Sequence, residues 1–566
     1  MSPLLKLPLE LKLHICLYLD AEAIVAIRQT CKELYTLEKS FYDTIWTNCV
    51  DRLCEAHELF APTFKWRPMS PKGREAIARR IDMMEPILEK AWQGPSDSDH
   101  CQAPPPSDAV DLLSRVDNPD EDISFEFIEL LPGGRILLLF SANFLYVWDL
   151  APYLDHLATP IERRVLLPWN YAPDTLVLPA LGPDKTSVRF MITLEPFHGE
   201  LQPLYAGWDV ERLRIFQVME LCFVDDGDLH LGKIGRTLPV FYPFSEMDAD
   251  FDEGYLKDRE VTEDYVLFRI RRRILAWSFK ESTYAVWDLV GSGGDSERIR
   301  FQISMAGDSV LVFEDGELTV YEMPPLIPVP AGGQVVDFTQ LGPTPIARRI
   351  SVPLPKHSLV CDGKCEAWRG SAGYLTPPYY YVHHIDVAKA CAKTAWYRVD
   401  VDFSSSPPVQ VTELEWDVSR DLDGKERIWA FNRPFKGKLV ATSVWGLPLQ
   451  PDGEGVMQSL GGPQSASVYI AVTAPSTSEE LSSQPPESKS PTTVTKGSGL
   501  PVPPRESTLF HMADVQDIDG DWDHEVNCDF CPLSGILVVT SRRYRGSQVL
   551  PAKRIQVFDF VRPRLR

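Results

Sequence analysis

Apolar residues along the first ninety-five positions recur every three or four residues. Beyond about residue 122 they alternate, or run in short blocks between Gly- and Pro-marked turns. The first pattern predicts helices and the second predicts strands. Leu7, Leu11, Ile15 and Leu19 make one stripe at four-residue spacing, and Pro8 suits the first turn of a helix, where a missing N–H costs nothing. Asp20 is placed to cap a second helix with Glu22 in its first turn, and Ile24, Ile27, Cys31 and Leu34 follow at steps of three and four. A third cluster, Leu37, Phe41, Ile45 and Trp46, closes this small unit. Farther on, Ser70 and Pro71 open a helix with the stripe Ile77, Ile81, Met84, Leu88 and Trp92. Pro86 is expected to kink or split it, and Arg74, Arg79 and Arg80 to form its solvated face.

Residues 95–122 are rich in Pro, Ser and Asp and read as a linker. A single type of ending recurs through the strand-patterned region. FSANFLYVWDL ends at Leu150 and ESTYAVWDL at Leu289, with weaker versions LRIFQVM, GELTVYEM, YYYVHHIDV and RIQVFDF. Upstream of several stands a second strand after a Gly turn, as in PGGRILLLF and SGILVVTS. The endings fall at uneven intervals, from 34 residues upward; a four-strand repeat of about 40 to 45 residues is the mark of a β-propeller blade, and the longer gaps fit inserted loops. The fold expected is therefore α+β and multidomain: helical head, helical stalk, and a large all-β body of six to eight blades. Radial closure hides strand edges; a β-sandwich or an open set of sheets is the rival. A Ser/Pro/Thr-rich stretch at about 474–507 has too few apolar residues to order itself and reads as a loop within the body.

Charge separates head from body. Residues 1–95 hold 13 Lys+Arg and 13 Asp+Glu, so the remaining 44 basic and 67 acidic residues carry the whole net charge of −23. An acidic body repels phosphate backbones and anionic bilayers, which argues against nucleic-acid or membrane partners. No run of about 18 apolar residues is present. Glu10, Lys12 and His14 interrupt the first apolar stretch, unlike the core of a signal peptide. The 11 Cys are odd in number and scattered, which fits a reducing compartment, cytoplasmic or nuclear.

The run LPLELKLHICLYLD-AEAIVAIRQTCKELYTL-EKSFYDTIW resembles an F-box. The matching positions are Leu7, Pro8, Glu10, Ile15, Leu19, Asp20, Ile24, Ile27, Cys31, Lys32, Leu34 and Trp46. The resemblance covers roughly 40 residues and departs at Arg28-Gln29-Thr30, where the family more often has an apolar residue. It implies an adaptor without enzymatic activity or cofactor, which docks on the Skp adaptor and through it a cullin ubiquitin ligase, and presents an unidentified target protein. Helix-in-groove recognition would then use Leu7, Pro8, Glu10, Leu11, Ile15, Leu19, Ile24, Ile27, Cys31, Leu34 and Trp46. The units expected are an F-box at 1–50, a stalk at 51–94, a linker at 95–122 and a propeller at 123–566. A ligase-independent scaffold and a propeller enzyme or ligand binder are the alternatives.

Other chemistry is sparse. Cys361/Cys365 and Cys528/Cys531, with His383, His384, His511 and His524 nearby in sequence, lack the paired spacing of a structural zinc, so no metal is expected. The acidic pieces at 248–260 and 514–525 lack the ligand order of a calcium loop. There is no G-x-S-x-G, H-E-x-x-H or Walker A motif. FRIRRRIL places Arg269, Arg271 and Arg273 on one face of a strand, a candidate site for a phosphorylated or acidic target. Pairing of these arginines with nearby acids is the plainer expectation.

Overall fold

The computed structural model describes residues 3–56, 60, 69–93 and 109–112 and, from 125 to 561, the strands and many of their turns. Outside it lie 94–108, 113–124, 242–258, 290–301, 354–378, 415–426, 474–508 and several shorter pieces. The chain divides into a helical head with a stalk and a β body.

In the head, α1 (Leu9–Tyr18) and α2 (Ala21–Thr30) are separated at Asp20, whose side chain accepts a 2.7 Å hydrogen bond from the Ala23 N–H. The second helix, expected to run through Leu34, ends at Thr30, and Leu34 joins Leu37 in α3 (Lys32–Ser40), while Ile45 and Trp46 lie in α4 (Tyr42–Ala56). Cys31 is extended and ends α2, and the chain turns again at Phe41. One core joins all four helices: Cys16 of α1, Ile24 of α2, Leu34 and Leu37 of α3, and Ile45, Trp46 and Cys49 of α4. Arg52 of α4 donates to the carbonyls of Leu17 (2.8 Å) and Leu19 (3.2 Å), covering the end of α1 with positive charge.

The stalk α5 (Pro71–Gln93) is capped by Ser70, whose hydroxyl accepts from the Gly73 N–H at 3.0 Å. It runs through Pro86 without the expected split. Proline at that point removes one N–H from the helical ladder and leaves the remaining turns able to continue.

Seven main sheets make up the body among the described residues. The first is an antiparallel meander of Phe125–Leu130, Ile136–Ser141, Phe144–Asp149 and Ile161–Leu166. The second (Tyr171–Leu181, Ser187–Leu194, Leu213–Phe223, Leu229–Phe241) packs on it through Leu138, Phe140, Val188 and Phe190. The third is built from Arg259–Val261, Tyr265–Ile270, Arg273–Ser278 and Thr283–Asp288. The fourth is Gln302–Ala306, Ser309–Glu314, Glu317–Glu322 and Arg349–Pro353, and the fifth Tyr379–Asp386, Cys391–Val401 and Val409–Leu414. Each of these packs on its predecessor. Strands covered on both sides need no polar face, which is why Ser187–Leu194 is buried at every position.

The sixth sheet (Arg427–Phe435, Lys438–Trp445, Gln464–Thr473, Leu509–Ile518) lies beside the seventh (Asp523–Cys531, Ile536–Arg545, Gln548–Asp559). The fourth strand of the seventh sheet comes from far upstream. Ala109–Asp111, inside the stretch expected to be linker, pairs antiparallel with Gln556–Phe558. The first and seventh sheets are in turn neighbours. The loop expected at about 474–507 lies outside the described residues.

The recurring sequence ending marks the third strand in the first, second, fourth and seventh sheets. In YYYVHHIDV it is instead the first strand of the fifth sheet. The third sheet gains its edge in an unusual way. After Glu322 the chain turns back, and Ile327–Pro328 pairs with Thr283–Tyr284 of the third sheet. Val336–Asp337 then pairs parallel with Val240–Phe241 of the second, before Arg349–Pro353 returns to the fourth. This strap, 323–348, laces three sheets along one edge. Its prolines suit such a path, because an edge strand leaves some N–H positions without a ladder partner.

Candidate docking face

The first helix is apolar on more than one side, and only some of that surface is used by the head. Cys16 is in the core, with Leu13 and Leu17 packed against it. Lys12 is buried and reaches Glu33 of α3 at 2.6 Å. Leu11, Ile15 and Tyr18 fall one turn apart on the opposite side and are 50%, 36% and 67% exposed. Leu9 is also exposed, as are Pro8 and Glu10, and the His14 ring sits edge-on to Tyr18 at 5.0 Å. This is a contiguous apolar face on the outside of a folded helix.

Sequence reasoning placed eleven residues in one docking set, and the structure divides them. Leu7, Pro8, Glu10, Leu11 and Ile15 are exposed or half-buried along α1 and the turn that leads into it. Leu19, Ile27 and Cys31 are half-buried against the head core. Ile24, Leu34 and Trp46 lie inside the head, at 2%, 5% and 0% exposure. Leu9 and Tyr18, outside the four-residue stripe that begins at Leu7, are exposed as well.

A polar network ties the four-helix unit to the stalk. Arg28 grips the Glu75 carboxylate of α5 with two bonds of 2.6 and 3.0 Å and also reaches Glu38 at 3.4 Å. Glu38 is buried and accepts from the Trp46 indole at 3.0 Å. The Tyr42 hydroxyl donates to the second Glu75 oxygen, and Arg74 pairs with Asp43. The sequence departure at Arg28 thus serves the joint between α2 and the stalk.

Burial, and then the bond to Glu75, push the Tyr42 hydroxyl above its ordinary range. Burial would also raise the Glu75 carboxyl, but the bonds from Arg28 and Tyr42 outweigh it and hold the group below its ordinary 4.5. A carboxylate lowered on folding adds stability that is complete above the unfolded value and is lost as pH falls through the lowered one. The helical circular dichroism of the chain should therefore melt at lower temperature as pH drops below 4.5. Glu75→Gln should cost about 1.5 kcal/mol at neutral pH and flatten that acid dependence. An unchanged pH slope in the variant would assign the acid sensitivity elsewhere.

Residues 4–46 match the sequence model of the F-box domain. The head is an F-box. The match ends at Trp46, so α4 continues past it and the F-box shares its last helix with the stalk joint. No curated protein is similar to the chain in sequence. Among solved structures, the WD40 domain of SCAP from fission yeast is 8% identical with a TM-score of 0.33, covering 78% of this chain and 85% of its own. The N-terminal domain of Nup159 is 9% identical with a TM-score of 0.31, covering 82% and 98%. At these scores the architecture of the body rests on its own strand pairings.

Arg273 pairs with Asp288 at 2.8 Å and donates to the Leu341 carbonyl of the strap at 3.2 Å. Arg269 is half-buried within the same sheet, and Arg271 lies outside the described residues. Cys361 and Cys365 lie outside them too, as do the side chains of Cys528, Cys531, His383, His384, His511 and His524 and most of the acidic piece at 248–260. Among the described residues no group of three His, Cys, Asp or Glu is arranged to hold a metal ion, and no helix is long and apolar enough to cross a membrane.

Proposed function

We propose that the chain is the substrate-recognition adaptor of a Skp–cullin–F-box ubiquitin ligase. An F-box implies an adaptor role in such a ligase, and a helical head on a β body points to a scaffold rather than a catalyst. One observation carries the finer reading: Leu11, Ile15 and Tyr18 stay exposed while the rest of α1 is built into the head. An apolar stripe at helical spacing with no partner in its own chain fits a hydrophobic groove on another protein. The Skp adaptor is the partner that F-box chemistry calls for, and a cullin is recruited through it.

The body would then hold the target. Among the described residues, the packing of the first five sheets each on the next, the sixth beside the seventh, the seventh beside the first, and the completion of the seventh by an upstream strand support a seven-bladed closed propeller. Holding a target near the ubiquitin-charged enzyme raises the effective concentration of its lysines without any chemistry in this chain. The reading places the protein in the cytoplasm or nucleus.

Affinity capture of the intact chain from cells is the test. The Skp adaptor and a cullin should co-purify, and blocking the cullin should raise the abundance of at least one co-purifying target. Capture of targets without adaptor or cullin would overturn the reading.

A further inference from the structure

Two sheets bring a turn onto the strand ending in the same register, yet the residue that leads into the strand is Arg135 in one and Gly535 in the other. In the first sheet, Leu131-Pro132-Gly133-Gly134-Arg135 leads into Ile136, and the Leu150 N–H donates to the Arg135 carbonyl at 2.8 Å. In the seventh, Cys531-Pro532-Leu533-Ser534-Gly535 leads into Ile536, and the Phe560 N–H donates to the Gly535 carbonyl at 3.1 Å. The registers agree, Ile136 facing Asp149 and Ile536 facing Asp559. Arg135 fills the first site from within its sheet, gripping Asp149 with bonds of 2.8 and 2.9 Å. Gly535 has no side chain to do this.

The arginine of the seventh sheet comes instead from the stalk. Arg80 donates to the Ser534 carbonyl at 2.8 Å and pairs with Asp559, with both side chains buried. The carboxylate is steadied by the Val561 N–H at 3.0 Å. The fit is close: Gly535 has a φ of +68°, and a Cβ there would stand 2.7 Å from the Met84 sulfur and 2.3 Å from Val561. Met84 is wholly buried. A second anchor lies at the other end of the joint, where Phe60 enters the core between the first and second sheets, edge-on to Phe223 at 5.1 Å.

We propose that Arg80 is a positioning residue, which fixes the direction in which the F-box points by occupying, from α5, the site that Arg135 fills within its own sheet. Phe60 holds the chain ahead of α5 to the body, and α5 also packs beside Gln464–Thr473 of the sixth sheet. The Arg80–Asp559 pair, with Met84 packed on Gly535, is the buried polar point of this joint and sets the angle. The role rests on the adaptor reading, since a fixed angle matters where a target is held toward a second protein; the mount itself is independent of it.

The test compares the full chain with Arg80→Met, Asp559→Asn and both together. Both single variants should keep wild-type hydrogen exchange in α1 and in Ile136–Ser141. Amides of 77–84 should exchange at least tenfold faster, and small-angle scattering should show a larger radius of gyration. The double variant should be no looser than either single one, because both remove one contact. Unchanged scattering and exchange at 77–84 would overturn the proposal. So would loss of protection throughout the body, which would make Arg80 a core residue of the sheet rather than a mount. Capture of the Skp adaptor is read in parallel: its absence from wild-type chain would overturn the adaptor reading and leave the mount standing.

Discussion

Aspartate at both Leu11 and Ile15 is expected to abolish capture of the Skp adaptor while the F-box stays folded. Burying a Leu or Ile side chain in a partner groove contributes about 1.5–3 kcal/mol, and an unpaired carboxylate in the same groove opposes binding further. The pair of substitutions should weaken capture by at least about 100-fold, a loss of roughly 2.7 kcal/mol. Neither residue belongs to the head core, so each substitution should cost stability only on the scale of about 0.5 kcal/mol typical of a surface site. The measurement is adaptor capture beside helical circular dichroism. Capture that persists, or a head that melts, would show that this face does not dock.

Arg135→Met is expected to be the most damaging single change in the body. Arg135 and Asp149 are each 1% exposed, and their paired bonds close the turn onto the strand ending of the first sheet. Removing one partner of a buried ion pair leaves a charge in a poorly solvating interior, at a cost of about 3–5 kcal/mol. Arg135→Met with Asp149→Leu should recover much of that loss, since apolar replacement of both partners is often neutral. A chain of many sheets need not unfold in one step, so the readout is local: hydrogen exchange of Ile136–Ser141, which should quicken in the single variant and slow again in the double. A double variant no better than the single would mean that the carboxylate, rather than the pairing, is what the site requires.

Periodicity carried the reading of α1 a good way. Steps of four put Leu11 and Ile15 on one side, and the structure leaves that side open. The same rule does not separate out Ile24, Leu34 and Trp46, which are buried in the head, because a stripe shows that a face is apolar and not whose core it joins. The strand endings were legible because alternation toward an aromatic–acidic pair is local. The strap was not, since a Pro-rich stretch reads as loop until its pairing with strands 40 to 100 residues back is seen. Arg80 was read as solvated for the same reason: its partners lie 454 and 479 residues away. One signal could have found it, the glycine at 535 where the parallel turn has Arg135.

The distance between Arg80 and Asp559 also has a meaning in time. Synthesis runs from one to the other, and domains fold as units while the chain emerges at about 5–20 residues per second. The F-box, with its own core and its Arg28–Glu75 clasp, is complete well before the seventh sheet exists. For the 479 residues between them the stalk has an arginine and no socket, and Ala109–Asp111 has no strand to join. The open face of α1 is thus formed during translation, and the chain's last strands supply the socket for the stalk only afterwards.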